Sequence, residues 1–459
     1  MQNYEKENEA DFCQENLVEL SPIFNSENKL GESLDFYTSH LQKYLNSEFT
    51  LTPNGSYALL SESRLKFEVD IPTSYVPQNF FCAKLFSNIE ILVNHTSLSY
   101  KSSENDHSLS VYFSTKINAE EINLATTGSL DGYWSNNELG SISFYDNLLP
   151  EDDSTPIGHI RRHHPEVKLR EQGSTDRTVT LESGTVKFKR YRFIHQLQFP
   201  LAQRPHPLPK DCNVRIIFYR AKWYKSVISV HLNNQKQDIG GYKDAVIPMI
   251  NPVLEIKYAE SSKYDKRYAT HKISRVKFPF LSKTIRRELL HNGIANFKIP
   301  IAQGNLPIAI CFAFSEPELF DGSVLKPITN FKPFSIQSFD LILDARSISG
   351  YPLKTYENNV SEFYFHFLEQ CHFWKNSYST GPMSYDTYRK QNFIVVDNLK
   401  RRGLNNGQLT LALQFKSILD RNYILIIMPI YQQMLEFDEH LSAQMRSGSA
   451  VEADRADHE

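Results

Sequence analysis

The sequence predicts a mainly β protein built from two consecutive β-sandwiches, and three observations support this class. Its 459 residues exceed the roughly 250–300 residues that one hydrophobic core organises, which predicts about two domains. Aromatic residues make up 12% of the chain, and aromatic side chains favour strands. Apolar and polar residues alternate with period two in several short runs, and the 22 prolines outnumber the 18 glycines. This combination is typical of many short strands joined by turns.

Strand-length runs recur along both halves of the chain. The alternation is clearest over 66–71 (KFEVDI) and 186–189 (VKFK), and proline or glycine stands in nearly every gap. The predicted strands of the first half are 64–71, 86–93, 184–193 and 213–219. Those of the second half are 253–258, 273–280, 295–300, 308–314, 335–343, 393–396, 408–415 and 423–430.

Three short segments are predicted to be helical: 35–45, 114–126 and 361–374. Segment 114–126 carries an apolar stripe, and Ser361 is the expected N-cap of the last helix, with Glu362 in its first turn. Short helices among antiparallel-looking strands favour a β-sandwich with helices in its loops over repeated βαβ units.

The two halves follow a similar order of elements. Each begins with strands, continues through a helical insertion, and closes on two long apolar strands, 184–199 and 212–220 in the first half and 406–416 and 422–430 in the second. The polar segment 233–243, which contains Gly240 and Gly241, is the predicted junction. We therefore predict a mobile acidic arm at 1–16, sandwiches at 17–238 and 239–440, and a disordered tail at 441–459.

Charge and cysteine content restrict the function classes. The formal net charge of −3 excludes a uniformly basic nucleic-acid binder. Residues 1–16 are acidic and have no apolar core, so no signal peptide is predicted, and no apolar run is long enough to predict a membrane span. The five cysteines are isolated from one another, which indicates a reducing compartment; they are Cys13, Cys82, Cys212, Cys311 and Cys371. We accordingly expect the sequons at Asn54, Asn94 and Asn359 to stay unmodified.

Known catalytic and cofactor motifs are absent from the sequence. It contains no GxGxxG, GxxxxGK[ST], GxSxG or HExxH. The histidines of 159–164 (HIRRHH) suit a metal site or a polar loop, and no spacing of acidic or cysteine partners favours the metal. Glu316, Glu318 and Asp321 could form an acid/base pair, but nothing in the sequence positions a partner for them. We predict no catalytic, cofactor-binding or metal-binding residue.

Two surface features keep alternative interpretations. Segment 161–192 has a local net charge of +5 and could contact a polyanion or an acidic neighbouring subunit. It could equally be an ordinary strand exterior, since Lys187, Lys189 and Arg192 alternate with apolar residues. A second feature is a run of aromatic side chains without neighbouring lysine or arginine; it comprises Tyr364, Phe365, Phe367, Phe373 and Trp374. Without basic neighbours, such a run predicts packing in the core or against another subunit and not stacking on nucleic-acid bases.

Several segments resemble the major capsid proteins of Polinton/Maverick elements and adintoviruses. Within 315–353, Glu318, the turn 320–323 (FDGS), the tripeptide 330–332 (NFK) and the amphipathic strand 338–343 occur in the order found in that family. Residues 406–438 resemble its last two strands and acidic exit, 81–98 its hairpin segment, and 212–219 a later strand. Segment 150–182 departs from the family pattern, and proline-rich turns replace some of its glycine-rich ones.

The resemblance implies a double jelly roll, that is, two consecutive eight-stranded jelly-roll β-sandwiches with short helices in their loops. It further implies a non-enzymatic subunit without cofactors that forms homotrimeric, pseudo-hexameric capsomers of an icosahedral shell around a DNA genome. The implied partners are further copies of the chain, neighbouring capsomers, penton proteins and minor capsid proteins, with weak non-specific DNA contact. The implied location is the virion, after synthesis inside the host cell.

Two other functions are compatible with a β-sandwich. A ligand- or carbohydrate-binding module would need an aromatic platform with flanking polar groups, for which Tyr133, Trp134, Asn136 and Asn137 are the candidates. An enzyme on a jelly-roll scaffold, such as a cupin, would need a clustered His/Glu metal site.

Overall fold

The computed structural model describes most of both halves of the chain. The described residues are 15–20, 24–25, 46–51, 57–73, 75–78, 80–98, 106–117, 175–181, 184–197, 208, 212–229, 246–259, 276–323, 328–356, 359–371, 385–437 and 443–447.

Twenty-three strands dominate the described residues. The first twelve are β1 (Glu15–Leu20), β2 (Phe24–Asn25), β3 (Asn46–Leu51), β4 (Tyr57–Pro72), β5 (Tyr75–Pro77), β6 (Phe86–Val93), β7 (Thr96–Ser97), β8 (Thr175–Leu181), β9 (Gly184–Gln196), β10 (Val214–Arg220), β11 (Val227–Ser229) and β12 (Ile250–Ala259). The others are β13 (Val276–Lys283), β14 (Arg286–Leu290), β15 (Asn296–Asn305), β16 (Ala309–Ser315), β17 (Ile336–Leu343), β18 (Arg346–Ser347), β19 (Leu353–Lys354), β20 (Ile394–Asp397), β21 (Asn406–Phe415), β22 (Tyr423–Phe437) and β23 (Ala443–Ser447).

The helices of the described residues all lie in connections between strands. They are α1 (Phe81–Lys84), α2 (Asp106–Ile117), α3 (Pro317–Asp321), α4 (Ser361–Gln370) and α5 (Tyr385–Gln391), with 3-10 turns at Trp223–Lys225 and Lys400–Arg402.

The first half forms two five-stranded antiparallel sheets, whose strand order defines a jelly roll, and a two-stranded sheet of β5 and β11. One sheet has the order β1-β12-β4-β9-β8, and the other has the order β2-β3-β10-β6-β7. Counting only the eight strands β1, β3, β4, β6, β7, β9, β10 and β12, the sheets contain strands 1-8-3-6 and 2-7-4-5. Such an order, in which neighbours in space are distant in sequence, is that of two Greek keys.

The second half repeats this order strand for strand. Its sheets are β13-β22-β16-β20 and β15-β21-β17-β18, which are again strands 1-8-3-6 and 2-7-4-5 of its own eight. The chain is therefore a double jelly roll with short helices in its loops, and the predicted fold class is confirmed.

Strands in which apolar and polar residues alternate are buried on one face, and strands with a continuous apolar run are buried on both faces. In β10, Val214, Ile216 and Phe218 point into the core while the intervening side chains are partly exposed. In β16, which pairs with β22 and β20, six consecutive residues are buried, so both faces of this strand are covered. All twelve predicted strand segments coincide with observed strands, with ends that differ by a few residues.

The pairing of β12 changes the predicted division of the chain. The sequence places 253–258 in the second sandwich, but β12 pairs with β1 and β4 and so completes the first jelly roll. The predicted junction at 233–243 precedes β12 in the sequence, but β12 is the closing strand of the first roll. The closing strand of a jelly roll pairs with the first strand of the same roll. The strands of the two rolls separate between Ala259 and Val276.

The predicted helices are corrected in two places. Residues 114–117 of the predicted helix 114–126 belong to α2, which begins at Asp106, before the apolar stripe that motivated the prediction; residues 118–126 lie outside the described ranges. The predicted helix at 361–374 ends at Gln370, and its N-cap is Val360; Asn359 Oδ1 accepts a hydrogen bond from the Ser361 N–H at 2.9 Å. Segment 35–45 lies outside the described residues.

The predicted arm and tail both contribute strands. Residues 15 and 16 of the predicted arm belong to β1. In the predicted disordered tail, 443–447 forms β23, which pairs with the end of β22. Both segments lie at sheet edges, where backbone pairing can order a polar sequence without a large buried face.

Two hydrophobic cores interlock across the halves. The first core includes Phe280, Leu435 and Phe437 from the second half. The second core includes Leu109, Tyr112 and Phe113 of α2 from the first half, together with Phe80. Each jelly roll thus buries side chains of the other.

Candidate functional site

The junction between the two jelly rolls contains buried polar and aromatic contacts. Its central element is α2, in which six of the eight residues of 107–114 are buried. A helix buried on most of its circumference is in contact with structure on more than one side. Here the two sides are the two jelly rolls.

Aromatic side chains of α2 contact both rolls. Phe113 stacks on Phe331 with ring centroids 5.7 Å apart and an interplanar angle of 4°. Tyr112 packs edge-on against Phe331 at 5.5 Å and against Phe80 of its own roll at 5.4 Å. The Tyr112 hydroxyl also donates a hydrogen bond to Asn392 Oδ1 of the second roll. Offset and edge-on aromatic pairs of this kind add to the energy of area burial.

A lysine completes this junction. Lys283 of β13 donates a hydrogen bond to Ser114 Oγ of α2 at 2.7 Å. Burial lowers the pKa of Lys283 to about 8, since removal from water disfavours the charged amine. The sequence gives no sign that a polar pair joins these distant segments.

The connections that follow the third strand of each roll also touch. Gln78 Nε2 donates hydrogen bonds to the carbonyl oxygens of Val227 (2.8 Å) and Ser323 (3.3 Å). Gly322 has φ of 107°, and a β-carbon at this position would lie 2.5 Å from the Tyr224 ring. Residues 320–323, which carry the sequence resemblance, therefore lie at the junction.

The carboxylates considered for catalysis are not brought together with an acid/base partner among the described contacts. Glu316 accepts a hydrogen bond from Arg421 Nη2 at 3.3 Å, and Glu318 and Asp321 are exposed on α3. No group of three or more potential metal ligands occurs within the described ranges. The histidines of 159–164 and the candidate platform of Tyr133, Trp134, Asn136 and Asn137 lie outside those ranges.

Three basic side chains of segment 161–192 that the structure describes, Lys189, Arg190 and Arg192, each pair with a carboxylate. Arg190 forms a bidentate pair with Asp70, at 2.7 and 2.9 Å, and Asp70 is only 1% exposed. Arg192 pairs with Glu68 at 2.7 Å, and Lys189 pairs with Asp176 at 3.2 Å. These pairs favour the strand-exterior interpretation for β8 and β9. Residues 161–174 are not described.

The aromatic run at 364–374 divides between core and surface. Phe367 is buried against Tyr388 (5.6 Å), together with its neighbour Phe363, whereas Phe365 is 51% exposed. Packing is confirmed for Phe367, while Phe365 points outward; Phe373 and Trp374 are not described.

A buried charge network anchors α4 to β20. His366 Nε2 lies 3.2 Å from Asp397 Oδ1, and Arg402 Nη2 lies 3.7 Å from the same oxygen. Both His366 and Asp397 are buried, so this contact holds the helix against the sheet.

The four described cysteines are buried; they are Cys82, Cys212, Cys311 and Cys371. Burial raises the pKa of both Cys311 and Cys371, which keeps these thiols protonated and poorly nucleophilic. Within the described part of the chain, no helix combines the length and apolar character that crossing a bilayer requires.

Sequence reasoning missed the junction residues Tyr112, Phe113 and Lys283. The apolar run 109–113 (LSVYF) was a usable signal, because it lies within α2. The partners that these residues contact across the junction are more than 150 positions away along the chain, and no local pattern indicates them.

Comparison with known proteins identifies the fold through structure alone. No family model and no curated protein matches the sequence. A chain of the 3.5 Å cryo-EM structure of the Sputnik virophage superposes with a TM-score of 0.61 and 11% identity over 98% of this chain and 91% of that chain.

Two further solved structures give the same result. The mavirus major capsid protein superposes with a TM-score of 0.56 and 10% identity, covering 97% of this chain and 92% of that one. A chain of the quasi-atomic PBCV-1 virus capsid gives a TM-score of 0.56 and 10% identity, covering 97% and 99%. The similarity spans both jelly rolls, and at this level of identity it concerns the fold.

Proposed function

We propose that the chain is a major capsid protein, a structural subunit that assembles with copies of itself into a viral shell. The observation that carries the proposal is the end-to-end match of the double jelly roll with the mavirus capsid protein and the PBCV-1 capsid chain. Two jelly rolls joined in the same order, over nearly the full length of each chain, are a more specific likeness than one shared sandwich. The proposed role is structural and not enzymatic.

The proposed subunit has two units, a first jelly roll over 15–259 and a second over 276–447. Three such chains would place six similar sandwiches in a ring, which gives a homotrimer with a pseudo-hexagonal outline. Because a closed ring of this kind uses heterologous contacts, the first roll of one chain meets the second roll of the next. The interlocked cores support the proposal, since they hold the two rolls of one chain in a fixed orientation.

The remaining expectations belong to this proposal. The assembled protein would lie in the virion after synthesis in the reducing interior of the host cell, and penton and minor capsid proteins would complete the shell. The acidic segment 1–14 would contact a minor capsid protein. Any contact with packaged DNA would be weak and non-specific, because the described basic side chains of β9 already pair with carboxylates.

Light scattering and imaging test the proposal directly. Multi-angle light scattering of the purified chain at micromolar concentration is expected to give three times the monomer mass, and negative-stain images are expected to show hexagonal particles. A monomer at every concentration tested, without hexagonal particles, would contradict the proposal.

A further inference from the structure

The helices α2 and α4 occupy the same position in the two jelly rolls. Each lies in the connection between the fifth and sixth strands of its roll, from β7 to β9 for α2 and from β18 to β20 for α4. The repeated topology makes them equivalent elements, so the surroundings of one indicate what can surround the other.

The two helices differ in the share of their residues that is buried. Six of the eight residues of 107–114 in α2 are buried, because the helix lies between its own roll and the second roll. Only four of the ten residues of α4 are buried, and all four face its own roll; they are Phe363, His366, Phe367 and Gln370. The outer face of α4 carries Phe365 and Glu369, which are exposed.

Exposed aromatic side chains occur on α4 and in the connection that precedes it. Phe365 is 51% exposed, and the connection that leads into α4 adds Tyr351 at 65% and Tyr356 at 68%. The turn that contains Tyr356 ends at Asn359, whose side chain accepts a hydrogen bond from the Ser361 N–H at the start of the helix. An aromatic set of this kind is the composition of an interface core more than of ordinary surface.

We propose that this surface, the outer face of α4 together with Tyr351 and Tyr356, binds the first jelly roll of a second copy of the chain. The contact is the intermolecular counterpart of the one that α2 makes within the chain. In the ring of alternating rolls, α2 of the first roll meets the second roll, and α4 of the second roll meets the next first roll. The inference rests on the proposed trimer and specifies which residues close it.

A charge substitution at the centre of the surface tests the inference. Phe365→Glu is expected to weaken association at least about tenfold, because it places a carboxylate in a contact that excludes water. Light scattering across a dilution series would then detect monomer at concentrations where the unmodified chain is a trimer. Tyr356→Ser, in an exposed turn, is expected to act in the same direction without altering the helix.

Ile418→Glu is the matched control. Ile418 is 67% exposed in the turn between β21 and β22, in the same roll but on another connection. It receives the same charge, and this variant is expected to remain a trimer. Circular dichroism spectra and thermal midpoints equal to those of the unmodified chain would show that the variants are folded.

Photo-crosslinking identifies the occupant. With a benzophenone amino acid in place of Tyr356, crosslinks are expected between position 356 of one copy and residues 46–259 of another. Crosslinks to 276–437 of another copy, or a trimer unaffected by both Phe365→Glu and Tyr356→Ser, would overturn the inference while leaving the trimer intact. If the unmodified chain is itself a monomer, the proposed function fails instead.

Discussion

At the scale of single residues, the first jelly roll contains an ion pair with a buried carboxylate on the face of two neighbouring strands, where apolar contacts are usual. Asp70 lies within the alternating segment of β4, yet its carboxylate is almost completely buried beneath Arg190 of β9. The hydrogen bonds that Arg190 donates to Asp70 are the main reason that the pKa of Arg190 is raised. A buried carboxylate of this kind is tolerated because two N–H groups satisfy both of its oxygens.

Removing the arginine is therefore expected to be costly. Arg190→Met leaves Asp70 buried without its guanidinium, which predicts a loss of about 3 kcal/mol in the free energy of unfolding. Lys189→Met is the control on the same strand, because Asp176, the partner of Lys189, is 85% exposed and such pairs contribute at most about 1 kcal/mol. Urea titration of both variants would measure the difference, and equal losses would refute the assignment.

His107 of α2 makes stability depend on pH. The rings of His107 and His195 lie 6.4 Å apart, both beside Phe86, over which Arg220 also stacks. Burial, and to a lesser degree His195, lowers the pKa of His107 to about 3. Between about pH 6.5 and 3 the unfolded chain therefore binds a proton at His107 that the folded chain does not, so this residue lowers stability as the pH falls.

His107→Gln is expected to remove this dependence. Relative to the variant, the unmodified chain should lose about 1.4 kcal/mol of unfolding free energy per pH unit below about 6.5, or about 2 kcal/mol at pH 5. Urea unfolding of both chains at pH 7 and pH 5 measures the difference, in which the carboxylates common to both chains cancel. Parallel pH profiles for the two chains would show that His107 titrates normally.

At the scale of elements, strands and connections were predictable to different degrees. The strands at 86–93 and 335–343 were predictable because burial of one sheet face makes apolar and polar residues alternate along the sequence. The connections were less predictable, since their conformations depend on what they touch. The helix α2 begins eight residues before the predicted start because its burial comes from both rolls and leaves no one-sided stripe.

Gly322 shows how a connection depends on its neighbour. It has φ of 107° at the end of α3, and a β-carbon there would meet the Tyr224 ring of the first roll. Gly350 also has positive φ, 81°, but a β-carbon at that position would meet nothing within 4 Å.

Alanine at these two glycines separates backbone strain from steric conflict. Gly350→Ala is expected to cost about 1 kcal/mol, the backbone penalty of a left-handed alanine. Gly322→Ala is expected to cost a further 1–3 kcal/mol or so, because the side chain overpacks the junction. Thermal midpoints of both variants measure these losses, and Gly322→Ala is expected to show the larger decrease. An equal or smaller decrease for Gly322→Ala would show that the two rolls do not touch at Gly322.

At the scale of the whole molecule, the interlocked cores couple the two jelly rolls. Side chains of α2 are buried in the second core, and Phe280, Leu435 and Phe437 are buried in the first. Neither core is complete without the other half of the chain. The two rolls are thus expected to behave as one cooperative unit despite their separate sheets.

Calorimetry tests this coupling. The chain is expected to unfold in a single transition, and Phe113→Ala, which removes the ring stacked on Phe331, is expected to cost about 3–5 kcal/mol and to lower the midpoint of that whole transition. Two resolved transitions, of which the variant shifts only one, would show that the rolls unfold independently.

The sequence by itself determined that the chain forms β-sandwiches, where most strands lie, and which family's fold to expect, because period-two burial and short motifs such as 320–323 are local properties. Only the tertiary structure decided that β12 belongs to the first roll, that Asp70 is buried under Arg190, and that α2 joins both rolls while α4 presents Phe365 to solvent. Each of these three features depends on strands or side chains that are far apart in the sequence. The connectivity of the jelly roll determines which of them meet, and the local sequence pattern does not.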